Sequence, residues 1–537
     1  MSRPNPLILL GILLISGGIM AALSLSKGAL LISAHEGDAY HLLDILFRME
    51  MGLRPHRDFV TPLGLLSLWP ILIFLKAGYG VGAAILWSQV LVAAAMILPV
   101  WYVSWSRLSR RTAYAFAAFS MVLIQAITYG GTEPGLSISM HYNRWAWVVV
   151  WVIVVIALTP PRGKQWPIAD GLIYGLGFSA LVFLKATFFV ALFPGIALML
   201  ILRRELAAIG VAIVSGAAVV VLVTILFGFD FWLGYIGDLL NVSRSEVRPY
   251  PGIAFFDMIT RNLAAILIGF LSYLFVGRSG HREAALGLVL LVSGFFFITY
   301  QNFGNDPKWL VPIAAVMMAL RPEVGVRTMN GLDMRTALTV TSLAAVMVFS
   351  TSAFTLTMSP LRHVAQQIER YDPMLPALPR HQDIFVRKDR AYSLTAEIYL
   401  DQPTSVWSKY RTLADRPDPP SLGGVTFPHC TILAGTSAWF EEISTDLVSA
   451  DIPAGSQLFT TDILTAFWLF EDFEPLQSGA PWYYGNLSGI DNADYVLVPK
   501  CSFVKRVYGI MLAELSAADL PLTLVRDNEL YALFSLR

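Results

Sequence analysis

From its first residues to about Met358 the chain is a succession of apolar runs, most of them near the twenty or so residues that a helix needs to cross the hydrocarbon core of a bilayer. A soluble core has no room for so many such runs, so the series constrains the fold to a bundle of membrane-crossing helices. Composition agrees. Of 537 residues 56% are hydrophobic and 14% charged, and mean hydropathy is +0.61. Formal net charge is zero. With no basic block and no acidic tail, the expected partners are membrane lipids and lipid-borne molecules, with no nucleic acid.

The N-terminal run, MSRPNPLILLGILLISGGIMAALSLS, reads as a retained anchor. A cleaved signal peptide is the alternative, since Ala21-Ala22-Leu23 is small-residue-like. Residues 62–77 are apolar but short and are read as lying along the interface. Further spans are expected over 81–103, 112–129, 145–158, 168–185, 187–202, 206–227, 254–276, 284–300, 308–320 and 336–358, about eleven in all. With that count, Arg3, Arg107, Arg110, Arg111, Arg162, Lys164, Arg203, Arg204, Arg278, Arg282, Arg321, Arg327 and Arg335 fall in the short connections of one face. The positive-inside rule makes that face cytoplasmic and turns the other connections outward.

The most polar of the outward connections is residues 35–64, HEGDAYHLLDILFRMEMGLRPHRDFVTPLG. Glu36, Asp38, Asp44, Glu50 and Asp58 crowd there with His35, His41, Arg48, Arg54, His56 and Arg57, and ionisable groups gathered at a membrane surface point to function. Residues 39–51 read as one amphipathic helix lying flat on the membrane. A turn-rich return follows, Gly52-Leu53-Arg54-Pro55-His56-Arg57-Asp58-Phe59.

An acidic pair soon after the first span, a juxtamembrane helix and a G-x-x-P-x-R-D-F turn together resemble the C-type membrane glycosyltransferases, the superfamily of protein mannosyltransferases and aminoarabinose transferases. The resemblance covers about the first 360 residues in layout, while the motif itself is confined to this stretch. It implies an all-α polytopic bundle with juxtamembrane helices in the first outward loop. The implied reaction is inverting transfer of a sugar from a polyprenyl-phosphate donor to a glycan, lipid or protein acceptor. Asp38 is the implied general base, with Glu36 the alternative. The pair here is Glu36-Gly37-Asp38, where several relatives have adjacent Asp-Glu, which leaves open which acid is the base. Capping of the helix that begins near Ala39 is the plainer role for either.

The other outward connections supply candidate substrate contacts. Glu133, His141 and Arg144 gather in GGTEPGLSISMHYNRW, where an acceptor or metal contact and two phosphate contacts stand against interfacial snorkelling. Arg57 suits phosphate oxygens, or pairs with Asp58. Lys308 in QNFGNDPKW is a phosphate candidate, or a lysine snorkelling at the start of a span. Lys185 in FLKATFF reads as the loop between two short spans or, if it faces the bundle, as a contact for lipid phosphate, and residues 229–252, with Asp238, Arg244, Glu246 and Arg248, as another interfacial helix. No paired Cys or His-x-x-x-His cluster signals a metal, and a carboxylate-held divalent cation stays open.

From about Pro360 the chain turns polar, which divides it into a membrane part, 1–359, and a small α/β domain, 360–537, on the outer side. Strands are expected at 457–461, 495–498, 522–526 and 530–534, with helices at 463–470 and 503–515 and a hairpin turn at Asp527-Asn528. Cys430 and Cys501 both fall there and would pair in an oxidising compartment, or remain two buried thiols in a reducing one. The positive-inside count puts the N-terminus inside and the C-terminal domain outside, and the resemblance implies that the membrane is a bacterial inner membrane and the outer side the periplasm. A flippase for a lipid-linked glycan, with charges lining a mid-membrane path, or a non-catalytic scaffold, would use the same sequence differently.

Overall fold

Asn5 starts the first helix with its own side chain, Oδ1 accepting from Leu7 N (2.9 Å) and Ile8 N (3.2 Å), and Pro6 takes the first helical position, where a missing N–H is harmless. This helix, α1 (Pro6–Leu25), leads to a short strand β1 (Leu30–Ile32) and two juxtamembrane helices, α2 (Glu36–Glu50) and α3 (Trp69–Lys76). The bundle continues with α4 (Val81–Arg107), α5 (Arg110–Gln125), α6 (His141–Leu158), α7 (Pro167–Leu202), α8 (Leu206–Phe227), α9 (Asp230–Arg244), α10 (Phe255–Arg278), α11 (Arg282–Gln301) and α12 (Leu310–Ala319). A two-residue hairpin, β2 (Thr328–Met329) and β3 (Leu332–Asp333), then feeds α13 (Met334–Ala365). The computed structural model describes residues 3–245, 247, 253–302, 305–325, 328–329, 331–401, 405–413 and 418–536. Glu246, Arg248 and Arg327 lie outside them.

Eight helices among the described residues are long and apolar enough to cross a membrane: α1, α4, α6, α7, α8, α10, α11 and α13. The expected runs 112–129 and 308–320 are the shorter helices α5 and α12. At eight residues, or about 12 Å, α3 is too short to cross. The two expected spans 168–185 and 187–202 form one helical element, α7, broken at Lys185, whose φ of −161° and ψ of 107° are extended. The break reverses the chain. The Phe178 ring lies 5.9 Å from that of Phe189 and 5.2 Å from that of Phe193, whereas fifteen residues of straight helix would put about 22 Å between them. α7 is therefore a helical hairpin with Lys185 at its tip.

The ends of the bundle differ in chemistry. At one end Arg107 pairs with Asp170 at 2.7 Å, Arg162 Nε donates to the Arg107 carbonyl at 3.0 Å, Arg203 donates to Ala157 O and Glu283, and Arg3 packs on Gly163. Tyr102 donates to the second oxygen of the buried Asp170. Removing either charge of this pair would strand the other, at about 3–5 kcal/mol. The other end carries the polar loops 26–80 and 126–140 and the C-terminal part.

That part holds β4 (Tyr371–Pro373), β5 (Ile384–Arg387), a one-turn α14 (Lys388–Ala391), β6 (Thr395–Ile398), β7 (Ser421–Leu422), β8 (Val425–Thr426), β9 (Cys430–Ala434), α15 (Thr436–Ser449), β10 (Leu458–Thr460), β11 (Tyr495–Pro499), α16 (Lys505–Ala517), β12 (Thr523–Asp527) and β13 (Tyr531–Ser535). One sheet has the order β10-β11-β13-β12, parallel only between β10 and β11, and its strands follow the sequence expectation within a residue or two. The expected helix 463–470 is only a 3-10 turn, Ala466–Leu469, and the Asp462 side chain ahead of it accepts from Ile463 N at 2.6 Å. The apolar stripe Trp439, Phe440, Ile443 and Leu447 builds α15 instead.

The membrane part and the C-terminal part are stitched at three places. β1 pairs in parallel with β5, Leu30 opposite Ile384, inside a β1-β5-β4 sheet. Asp383 caps α4, its carboxylate accepting from Gly82 N (3.0 Å) and Ala83 N (2.8 Å), with Gly82 so close that a Cβ would lie 2.2 Å from Asp383 O. The third is α2. It does not lie on the membrane by an exposed polar face: Tyr40 donates to or accepts from Ser437 at 2.7 Å, its ring packs on Phe440 and Phe470, and the Asp44–Arg48 pair is buried, with Arg48 also donating to Leu476 O. The amphipathic pattern is real, but protein covers both faces. α13 runs to Ala365, six residues past the boundary at 359.

Candidate functional site

Two helix starts meet at the polar end. His35 (φ 59°) precedes α2 and Met140 (φ 49°) precedes α6, both non-glycine residues in the left-handed region. The strands of loop leading to them run side by side, Ser33 N donating to Leu136 O (2.9 Å) and Leu136 N to Ser33 Oγ (2.9 Å). Gly135 is needed here, since a Cβ would lie 2.7 Å from that of Ala34. The pairing brings the second loop onto the first turn of α2, where Ser139 Oγ donates to Asp38 Oδ2 at 2.5 Å. His35 contacts Ser137 through Nδ1 (3.1 Å) and the exposed Glu133 through Nε2 (3.9 Å).

Residues 128–131 form the hub. The Thr128 carbonyl accepts from Arg144 Nη1 at 2.7 Å. Tyr129 stacks obliquely on His35 (5.4 Å), and burial, with Asp306 and Asp38 nearby, pushes its phenol well above the usual range, so that it stays a proton donor. Gly130, with φ +112°, lies against both partners of the Lys308–Asp306 ion pair, and Gly131 N donates to Ser352 Oγ at 3.2 Å. Ser352 in turn donates to Asp306. Arg144 is 1% exposed, yet its Nε and Nη2 have no hydrogen-bond partner among the described residues. Buried guanidinium N–H groups are costly to leave unmet, so this is a fork of donors awaiting an acceptor.

Lys185 reaches the same neighbourhood from the tip of the α7 hairpin. Its ammonium donates to Asn302 Oδ1, which also accepts from Asn143 Nδ2 (3.2 Å), and lies 5.7 Å from the centre of the Tyr142 ring. Tyr129 Oη approaches the Asn302 carbonyl at 3.4 Å. Arg144 and Lys308 thus lie near one acid, Asp306, while Lys185 is held on Asn302, four residues before it, and Asp306 and Asp38 both lie near Tyr129. Such an excess of positive charge suits a phosphate-bearing ligand.

Of the residues singled out in sequence, Asp38, Glu133, Arg144 and Lys308 come together here. Glu36 points the other way, its two oxygens bound by Arg390 Nε at 3.1 and 3.0 Å, and is buried. His141 is buried with Nε2 2.8 Å from the Ser67 carbonyl, a structural tie between α6 and the turn before α3. Arg57 points outward, 3.9 Å from Asp58, on a turn held by His56 and Asp238. Tyr129, Ser139 and Ser352 were not legible as site residues, and Lys185 was legible only as one of two readings, a loop or a lipid-phosphate contact. A helix break placed on the one lysine of an apolar run was the available signal for it. Cys430 and Cys501 form a disulfide, Cα atoms 4.6 Å apart. Among the described residues no group of three His, Cys, Asp or Glu could hold a metal ion.

No family model matches the chain, and no curated protein matches it. Among solved structures it is similar to ArnT from Cupriavidus metallidurans in the apo state, at 11% identity and a TM-score of 0.43, over 99% of this chain and 97% of that one. It is also similar to the Archaeoglobus fulgidus oligosaccharyltransferase in the apo form, at 13% identity and a TM-score of 0.39, over 91% of this chain and 69% of that one. The Archaeoglobus fulgidus enzyme AglB in complex with an inhibitory peptide and a dolichol-phosphate gives 13% and 0.38 over the same shares. An ArnT and an oligosaccharyltransferase are thus the kinds of protein whose arrangement this chain is similar to, and its chemistry is read below from its own residues.

Proposed function

We propose that this protein is a membrane glycosyltransferase that moves a sugar, with inversion, from a polyprenyl-phosphate donor to an acceptor hydroxyl at the end of the bundle bearing the C-terminal part. The observation that carries the reading is the buried fork of Arg144, two of whose nitrogens have no partner among the described residues, set with the Lys308–Asp306 pair against hub residues 128–131, whose Tyr129 also lies near Asp38. In the reaction Asp38 takes the acceptor hydroxyl proton while the acceptor oxygen bonds to the anomeric carbon. The bond from that carbon to the phosphate oxygen breaks, and its electron pair leaves with polyprenyl phosphate. Arg144, Lys308 and Lys185 stabilise the charge gathering on the departing phosphate. The bond of both Glu36 oxygens to Arg390 supports Asp38 over Glu36 as the base.

The same reading takes residues 1–359 as the transferase bundle and 360–537 as a domain on the outer face of a bacterial inner membrane, a location that the Cys430–Cys501 disulfide supports. A flippase would need its charges near the middle of the bundle, whereas these lie at one end. The test is release of polyprenyl phosphate by the protein in proteoliposomes supplied with a panel of polyprenyl-phosphate hexoses and pentoses. Transfer by the wild type and its loss in Asp38→Asn is the expected result. Equal transfer by both overturns the assignment of Asp38.

A further inference from the structure

α9 has two unlike faces. Phe229, Leu233, Ile236 and Leu240, at spacings of four, three and four, form a stripe 46–66% exposed. Phe231, Tyr235 and Asp238, on the opposite side, are buried. Exposed apolar residues also end the preceding span, Ile225 and Leu226 of α8, and begin the following one, Phe255 and Phe256 of α10. Surfaces of that kind, joined end to end with membrane-crossing helices, belong in lipid.

The buried face grips two other elements. Asp238 Oδ2 accepts from His56 Nδ1 (2.8 Å) and Thr61 N (3.1 Å), and Gly234 sits so near the turn that a Cβ would be 1.8 Å from His56 O. Tyr235 Oη donates to the Val182 carbonyl at 2.6 Å. Val182 is in the last turn before the break at Lys185, where helix carbonyls run out of N–H partners. Gly64 closes the clamp from below, packed on the Phe183 carbonyl. The tip bearing Lys185 is therefore held between α9 and the loop after α2.

We propose that α9 couples the bilayer to the candidate site: its apolar stripe rests in the interfacial layer of the membrane, while Tyr235 caps the α7 tip and positions Lys185 against Asn302. The inference rests on the proposed transferase reading only for what Lys185 then does. Tyr235 touches no reacting atom and acts through Lys185, as a positioning residue.

Two measurements on the full-length protein in phosphatidylethanolamine/phosphatidylglycerol vesicles test it. A spin label at Leu233→Cys, with the native cysteines paired, should be reached more readily by oxygen than by a water-soluble nickel chelate. Preference for the chelate, or exclusion of both reagents as under a protein partner or a second copy, overturns the membrane face. Tyr235→Phe keeps the ring packing and removes the cap. It should raise hydrogen exchange at residues 183–188 by about tenfold while the sheet at 495–499 is unchanged. It should also raise the KM for a polyprenyl-phosphate sugar by on the order of tenfold, with kcat within about twofold. Unchanged exchange, or raised exchange with an unmoved KM, overturns the positioning role. A wild type that turns over no donor in the panel would sink the transferase reading, while the label and the exchange would still decide the coupling.

Discussion

Ser139 at the foot of α6 donates a 2.5 Å hydrogen bond to Asp38 in the first turn of α2, so one oxygen of that carboxylate is held by the second outward loop. Asp38→Asn keeps that bond's acceptor but not the base. Its kcat is expected to fall by about 10²–10⁴-fold with the melting temperature little changed. Ser139→Ala frees the carboxylate to rotate and should cost less, on the order of tenfold. Rates of polyprenyl phosphate release from the purified variants check both. A Ser139→Ala defect larger than that of Asp38→Asn would contradict the order.

Arg144→Lys is expected to fail as a conservative change. The lysine keeps the charge but loses the planar fork that binds Thr128 O with one nitrogen and has two others without a partner among the described residues. Transfer should fall by about 10²-fold or more, with the larger part in KM for the donor if the fork binds ground-state phosphate. Inhibition by added polyprenyl phosphate gives a second reading, since the variant should be correspondingly harder to inhibit. Arg57→Lys, changed on an exposed turn, should leave both quantities within about twofold.

Much of the architecture was legible because period and run length survive without tertiary context. The apolar runs, the strand at 495–498 and the hairpin at Asp527-Asn528 are of this kind. The site was legible only in part. Asp38, Arg144 and Lys308 stand out as charges at membrane boundaries, but Tyr129 becomes a site residue only because Asp306 and Asp38, far from it in sequence, fold onto it. Ser352 is one hydroxyl in a helix that also carries Ser350 and Thr355, and only the packing of α13 singles it out. α2 misled for a different reason. The same stripe of Leu42, Leu43 and Leu46 serves a lipid surface or a protein partner, and nothing local distinguishes them.

Asp462 makes the C-terminal part sensitive to pH near neutrality. Burial raises its pKa from 3.8 to about 7, against hydrogen bonds from Phe503 N (2.7 Å) and Ile463 N that favour the anion. The folded state therefore holds a proton that the unfolded state releases. The stability this contributes is whole below about pH 4 and is lost as pH rises through about 7. Thermal melts of the detergent-solubilised protein should fall between pH 5 and pH 8 by the equivalent of a few kcal/mol. In Asp462→Asn that slope should flatten. A wild-type melt that rises over the same interval would contradict the sign.

The disulfide offers the last prediction, because it bears on stability and sidedness together. Cys430 begins β9, which pairs with β6, and Cys501 follows β11, so the bond closes 71 residues of chain that include α15 and β10. A loop of that length should stabilise by about 4 kcal/mol through the unfolded chain. The double variant Cys430→Ser, Cys501→Ser is therefore expected to lower the denaturant midpoint of the C-terminal part. It should leave α1–α13 intact, since no strand of the β1-β5-β4 sheet lies within the closed loop. In intact cells with a permeabilised outer envelope, a membrane-impermeant thiol reagent should label the wild type only after mild reduction. Labelling that requires lysis would put this part, with Asp38 and Arg144, on the cytosolic side, and a disulfide would then have no oxidising compartment to sustain it.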